Sequence, residues 1–296
     1  MLNFSIRLSK AYNYKMNSSD FLILKSSGEK VYFSEKKVEK SLQRAGADKE
    51  TIGYIIAKLK EELYDGISTK EIYNRAFKLL KNKNHLFASK YKLKKAIYEL
   101  GPTGFPFERF VASILNHSGY STKVGEIFQG KCVSHEVDIY AIKNGDSHLI
   151  ECKFHGKEGR NCDVKVPLYI HSRFRDIVAH NKTQNAKSLP IKDGWVVTNT
   201  RFTEDAITYG NCVGLHLLSW NHPSGMSLKD LITNTGLYPI TVSTLLTIKE
   251  KQFLLEHDIV LCTELIKRSY FLDHIGVSEN RQKRILKEMR SLCAIS

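Results

Sequence analysis

The sequence predicts a mixed α/β protein built from more than one domain. Three observations carry that expectation. The chain has 296 residues, enough for about two domains at ordinary domain size. Residues 104 to 220 run helix, strand, strand, strand, helix, strand, helix, strand, an order that implies a sheet flanked by helices. The segments on either side read differently, a hairpin followed only by helices before it and short punctuated helices after it. The expected boundaries are a leader at 1–20, a first domain at 21–102, a sheet domain at 103–222 and a helical region at 223–296.

Hydrophobic residues make up 42% and charged residues 26%, as in an ordinary globular chain. No run reaches the roughly 18 apolar residues that a membrane span needs. Lysine plus arginine number 45 against 31 acids, a net charge of +14. That balance suits polyanionic partners such as DNA; a basic but otherwise ordinary globular protein is the alternative. The six cysteines are dispersed with no CxxC pair, so reduced thiols and a cytoplasmic location are expected.

The leader, basic with the single acid Asp20, lacks the apolar core of a signal peptide. It is expected to be a disordered leader or a misassigned start, with a transit peptide as the alternative. "FLILKSSGEKVYF" then reads as a hairpin. Ser34 is expected to cap a helix carrying Val38, Leu42 and Ala45 that stops at Gly46. A second helix places Ile52, Ile55, Ile56, Leu59 and Leu63 on one stripe. A third starts at Ser68 or Thr69, and a fourth runs from His85 to Leu100. "GPTGFP" reads as a linker before the helix "FERFVASILNHSG".

Asn144-Gly145 is a favoured pair for a two-residue hairpin loop, since both positions need positive φ. Such a loop fixes the register. Counted back from it, Asp138 stands opposite Glu151, with Cβ atoms roughly 5 Å apart. Alternation puts Lys153 and Glu136 on the same face and His135 on the other. The opposite face carries Val137, Ile139 and Ala141 on one strand and Ile150, Cys152 and Phe154 on the other, ready to bury against a helix. Two adjacent carboxylates repel unless a cation lies between them, and hard oxygen ligands suit Mg²⁺ or Mn²⁺. The alternative is a solvated strand face that happens to carry Asp, Glu and Lys.

With its helix, Asp strand, ExK strand, helix and strand in that order, the stretch from 104 to 220 resembles the restriction-endonuclease-like nucleases, the PD-(D/E)xK superfamily and its Mrr-type branch in particular. The resemblance implies a metal-dependent endonuclease acting on double-stranded DNA. Asp138 and Glu151 would be metal ligands, Lys153 the catalytic lysine, and Glu108 in the opening helix an auxiliary acid. Val137 stands where the motif's proline would be. Glu136 is a further candidate ligand. Lys157, Arg160, Lys165, His171, Arg173 and Arg175 are candidates for a phosphate track, or for a solvated surface.

"ILKSSGEKVYFSEKKVEKSLQRAG", "YDGISTKEIY" and "YKLKKAIYEL" together resemble the ATP-cone, a small regulatory domain that binds ATP or dATP. Carried over residue by residue, Lys25, Gly28, Lys37 and Thr69 would contact nucleotide, which would gate activity or a homo-oligomeric state. Ser26 stands where that family has arginine, and a bidentate phosphate contact goes with it. A basic helical module for DNA or protein is the alternative. A nucleotide-responsive DNA-binding regulator with a non-cutting nuclease fold is the alternative for the whole chain.

The C-terminal region looks like helix-hairpin-helix repeats, with Lys249, Lys251 and Lys267, then Arg281, Lys283, Arg284, Lys287 and Arg290, as candidate phosphate contacts. A helical cap with a solvated basic face is the alternative. Cys132, His135, His155 and Cys162 match no standard zinc spacing. Trp195 and Trp220 are expected in strands.

Overall fold

The computed structural model describes residues 21–183 and 190–294, so the expected leader at 1–20 lies outside the described residues. The first unit opens with β1 (Leu22–Leu24) and β2 (Lys30–Tyr32), an antiparallel pair in the expected hairpin. Lys25 and Glu29 close it, the Glu29 carbonyl accepting from the Lys25 N–H at 2.9 Å. Gly28 takes φ +85° in that turn, a conformation glycine adopts without penalty.

Helices α1 (Glu35–Arg44), α2 (Lys49–Glu61), α3 (Thr69–Lys83), α4 (His85–Tyr91) and α5 (Leu93–Tyr98) follow. Asp48 and Ser68 cap α2 and α3, accepting from the N–H groups of Thr51 and Glu71. Ser34 precedes α1 as expected but makes no side-chain cap bond. The expected fourth helix is two, interrupted at Lys92, whose ammonium is drawn inward to Glu99 and to the Thr241 carbonyl oxygen at 2.6 and 3.0 Å. The apolar stripes of α1 to α4 meet in one core containing Leu42, Ile55, Leu59, Ala76 and Leu80.

The sheet region begins with α6 (Phe105–His117) and continues through β3 (Ser121–Gln129), β4 (Ser134–Lys143), β5 (Asp146–Lys153), β6 (Asn161–Cys162), α7 (Lys165–Thr183), β7 (Ile191–Thr198), β8 (Arg201–Phe202), α8 (Glu204–Cys212) and β9 (His216–Leu218). Five strands pair in the order β3-β4-β5-β7-β9, the first three antiparallel and the last two joined in parallel. The last strand is shorter than the sequence pattern suggests, and Trp220 falls outside it. One sheet face, with Ile139, Ala141, Ile150 and Cys152, shares a core with Phe107, Phe110 and Ile114 of α6. Across the sheet, Leu149 and Val196 pack with Ile170, Phe174 and Ile177 of α7.

The remainder is α9 (Leu228–Thr235), a 3-10 turn at Ile240–Val242, then α10 (Ile248–Glu256), α11 (Cys262–Lys267), α12 (Phe271–His274) and α13 (Glu279–Cys293). These helices bury Leu254, Leu265, Ile285 and Met289 in the same core as α5, α6 and the sheet. Packing is thus continuous across the expected boundaries near 102 and 222. Lys251, a candidate phosphate contact, is 7% exposed and donates to the Thr241 carbonyl. Arg281 is likewise tied to Glu250 and the Leu245 carbonyl. Lys251 faces inward and Arg281, about a third exposed, is engaged by Glu250, because helix packing, which the sequence pattern does not specify, turned their sides of α10 and α13 toward neighbours. Among the described residues no helix is long and apolar enough to cross a membrane.

Candidate functional site

The Asn144-Gly145 turn forms as expected, with φ +54° and +84°. Pairing runs from Lys143 opposite Asp146 to Ile139 opposite Ile150. Asp138 and Glu151 lie one step beyond that ladder, in the register the turn dictates. The Asp138 carboxylate bends back to accept from the Cys152 main-chain N–H at 2.7 Å. On the other side of β4, where Val124 faces Ile139 and Glu126 faces Val137, the β3–β4 register sets Gly125 beside Asp138, and a Cβ on Gly125 would stand 3.8 Å from Glu136 Oε1.

Glu108, in the first turn of α6, approaches the same end of the sheet. Burial raises its pKa to about 7, with the charges of Asp138 and Glu136 adding to the effect. Glu151 is also pushed up to about 7, by burial first and then by Asp138, against the pull of Arg173. Asp138 is raised by burial, opposed by the Cys152 N–H, Arg173 and Lys153. The mutual effects mean that Glu108, Glu136, Asp138, Glu151 and Lys153 share one electrostatic neighbourhood. Lys153, at the end of β5, is exposed.

Arg173 was a candidate for the phosphate track; it points into the carboxylate group instead. Its guanidinium donates to Glu151 Oε1 at 2.7 Å and to the Glu136 main-chain carbonyl. Only the packing of α7 against the sheet, through Ile170, Phe174 and Ile177, aims it there. Nothing in the local pattern separates it from Arg175, one turn face away and exposed. His171 is similarly engaged, with the Tyr209 hydroxyl at 2.8 Å.

Glu151 Oε2 is buried and has no hydrogen-bond partner. A half-satisfied carboxylate among others is unfavourable unless a cation reaches it. Among the described residues, however, no three His, Cys, Asp or Glu side chains converge as a ready-made metal site. Arg173 holds one oxygen of Glu151 and the Cys152 N–H holds one of Asp138, which leaves the remaining oxygens of that pair as the free donors.

His135 lies off this cluster. Its Nε2 meets Asp176 Oδ2 at 2.9 Å, and Asp176 also accepts from the N–H groups of Cys132 and Val133. Those bonds, His135 first, pull Asp176 down to about 2 and pin the β3–β4 turn to α7. All six cysteines are free thiols.

In the first unit, Lys25, Lys37 and Thr69 line one pocket of about 230 Å³. Its other walls include Ile23, Val31, Phe33 and Tyr73. Gly28 shapes the adjacent turn and does not line the pocket.

Residues 21–99 match the model of the ATP cone domain, and residues 238–293 match that of the AF1548-like C-terminal domain. An uncharacterized protein of Archaeoglobus fulgidus is 32% identical over 186 residues, 62% of this chain and 99% of the relative. The chain belongs to the AF1548-like family. A crystal structure of a protein of unknown function, AF1548, superimposes with a TM-score of 0.53 at 29% identity, covering 64% of this chain and 98% of that one. Protein VC1899 of Vibrio cholerae matches at 17% identity with a TM-score of 0.28, over 67% of this chain and 50% of that one, too low to bear on the fold. This AF1548-like chain thus combines an ATP-cone unit with a five-stranded mixed sheet and a family-specific helical end.

Proposed function

We propose that this AF1548-like protein is a metal-dependent DNA endonuclease with a restriction-endonuclease-like core, regulated by ATP or dATP bound to its ATP-cone unit. One observation carries the reading: Asp138 and Glu151 stand in register across one hairpin, within electrostatic reach of Glu108, Glu136 and Lys153, and Glu151 Oε2 is buried without a partner. Such a group is relieved by a divalent cation, with Asp138 and Glu151 holding Mg²⁺ or Mn²⁺ and Glu136 as a further ligand. Bound there, the cation would supply Lewis-acid polarisation of a phosphate and a more acidic water.

The chain's own residues do the rest. The Lys153 ammonium, exposed at the strand end, meets the negative charge that builds on the phosphate oxygens. Arg173 balances Glu151 and orients it through one short bond. Glu108 stands ready to hold a proton near the attacking water. The net charge of +14 draws double-stranded DNA to the surface. Lys283, Arg284, Lys287 and Arg290 remain exposed on α13 for that purpose.

The test is cleavage of supercoiled plasmid by the full chain with Mg²⁺ or Mn²⁺, against EDTA, with and without ATP or dATP. Cation-dependent nicking is expected, falling roughly a hundredfold in Asp138→Ala and Lys153→Ala. No cleavage of duplex or single-stranded DNA with either cation would overturn it. The Arg173–Glu151 ion pair specifically favours a second reading, a nucleotide-responsive DNA-binding regulator, in which that guanidinium stands in for the cation. Retained DNA binding without cutting would be its signature.

A further inference from the structure

The turn that closes β1 and β2 does not face solvent alone. It lies against the segment that follows Lys153. Gly159, at φ +88°, comes so near that a Cβ there would sit 3.5 Å from both the main-chain oxygen and Oγ of Ser26. Around this junction is a basin of about 400 Å³. Its walls include Lys25 from the turn, Lys94 from α5, Arg160 just before β6 and Arg201 from β8. Lys25 is paired with Glu29 at 2.9 Å. Lys94, Arg160 and Arg201 have no ion pair within 4.0 Å among the described residues. Glu158 is the other carboxylate in its walls, and its charge favours the protonated Lys94. Desolvation and then Arg201 lower the Lys94 pKa, as expected where like charges are brought together. Three unpaired cations from two domains, gathered in one hollow, are relieved by an anion.

The basin adjoins the ATP-cone pocket, and Lys25 and Thr69 line both. The cone pocket is mainly apolar, with Ile23, Val31, Phe33, Val38 and Ile72 among its walls. An apolar chamber that shares a lysine and a threonine with a neighbouring cationic hollow suits a ligand with a flat apolar end and a highly charged tail. We infer that the basin is a phosphate site shared by the two domains, and that it takes the terminal phosphates of a nucleoside triphosphate whose base and sugar occupy the cone pocket. The inference rests on nucleotide binding by residues 21–99 and adds Arg160 and Arg201 from the sheet region to that site. Ser26 brings no charge to the turn; the guanidinium groups come from the opposite wall.

The placement couples ligand to sheet. Arg160 precedes β6, which pairs with β8, where Arg201 lies. Next to Arg201, the Thr200 and Thr198 hydroxyls are 3.2 Å apart, and Thr198 Oγ1 donates to the Lys153 carbonyl at 2.7 Å. A triphosphate gripping Arg160 and Arg201 therefore holds the two segments that flank Lys153. A monophosphate, too short to leave the cone pocket, would not.

The experiment measures binding of ATP and of AMP to the full chain by calorimetry, for wild type, Arg160→Ala, Arg201→Ala and Arg160→Lys. Trp220, which lines the basin, gives an independent fluorescence readout of triphosphate. Each alanine variant should weaken ATP about tenfold and leave AMP within about twofold, with Arg160→Lys in between. Both arginines are exposed, and matching thermal unfolding curves confirm that the variants fold. Wild type binding ATP while both alanine variants bind it equally well overturns the shared site and leaves nucleotide binding by the cone intact. Wild type binding neither ATP nor AMP overturns both. Loss of plasmid binding with unchanged ATP affinity assigns the basin to DNA backbone and also overturns the inference.

Discussion

Replacing Arg173 by methionine tests the logic of the carboxylate cluster. Methionine keeps much of the stem and removes the charge. The side chains of Arg173 and Glu151 are 14% and 16% exposed, and a 2.7 Å bond joins them. Glu151 Oε2 already lacks a partner. The variant would leave the whole carboxylate desolvated beside Asp138 and Glu108. Breaking a buried pair on one side costs about 3 to 5 kcal/mol, and the residual exposure here points to the lower end. The assay is urea unfolding at pH 8 in EDTA, for wild type, Arg173→Met, Glu151→Gln and the double variant. Arg173→Met should lose about 3 kcal/mol, and adding Glu151→Gln should recover most of it, because the uncompensated charge is then gone. Saturating Mn²⁺ should restore stability to Arg173→Met and not to the double variant, since a ligand stabilises only the state that binds it. A loss under about 0.5 kcal/mol, the level of an ordinary surface change, would refute the argument that Glu151 is a buried charge in need of a partner.

Three further predictions rest on the packing. Burial and the neighbouring Lys92 push Lys251 down to about 7, while Glu99 and Glu288 pull the other way. The unfolded chain keeps that proton up to the ordinary lysine range, so wild-type stability should rise from pH 7 to pH 9 relative to Lys251→Met, by up to about 1.4 kcal/mol per pH unit. Parallel urea-unfolding curves over that range would show that Lys251 is not desolvated in solution. In the sheet, a Cβ on Gly194 would stand 2.2 Å from Phe174 Cδ2, so Gly194→Ala should cost about 2 kcal/mol by forcing α7 off the sheet. Gly53→Ala, inside α2 with nothing within 4 Å, should instead gain about 0.5 to 1 kcal/mol, and equal effects of the two substitutions in thermal unfolding would contradict the packing described.

Local chemistry determined much of this protein from the sequence alone. The Asn144-Gly145 turn dictates the β4–β5 register, because a two-residue loop admits few geometries, and that register carries Asp138 to Glu151. Period-two alternation assigned Val137, Ile139 and Ala141 to one buried face; all three are buried, but Ile139 and Ala141 join the core with α6 while Val137 joins the core with α7. Helical spacing located α1 to α3, and of the two caps the sequence offers, Ser68 and Thr69, Ser68 starts α3. The hairpin was likewise legible; Lys37 and Thr69, carried over from the ATP-cone resemblance, line one pocket together with Lys25. What the sequence left open depends on which helix face meets which neighbour, a property of distant residues. Arg173 turns to Glu151 and Arg175 to solvent because α7 packs by Phe174 and Ile177. Lys251 is buried and Arg281 is held by Glu250 because the C-terminal helices close on α5 and on each other. The continuity of one core across both expected boundaries, and the meeting of Ser26 with Gly159 beside Arg160 and Arg201, are likewise products of tertiary packing alone, since those residues are far apart in the chain and carry no shared local pattern.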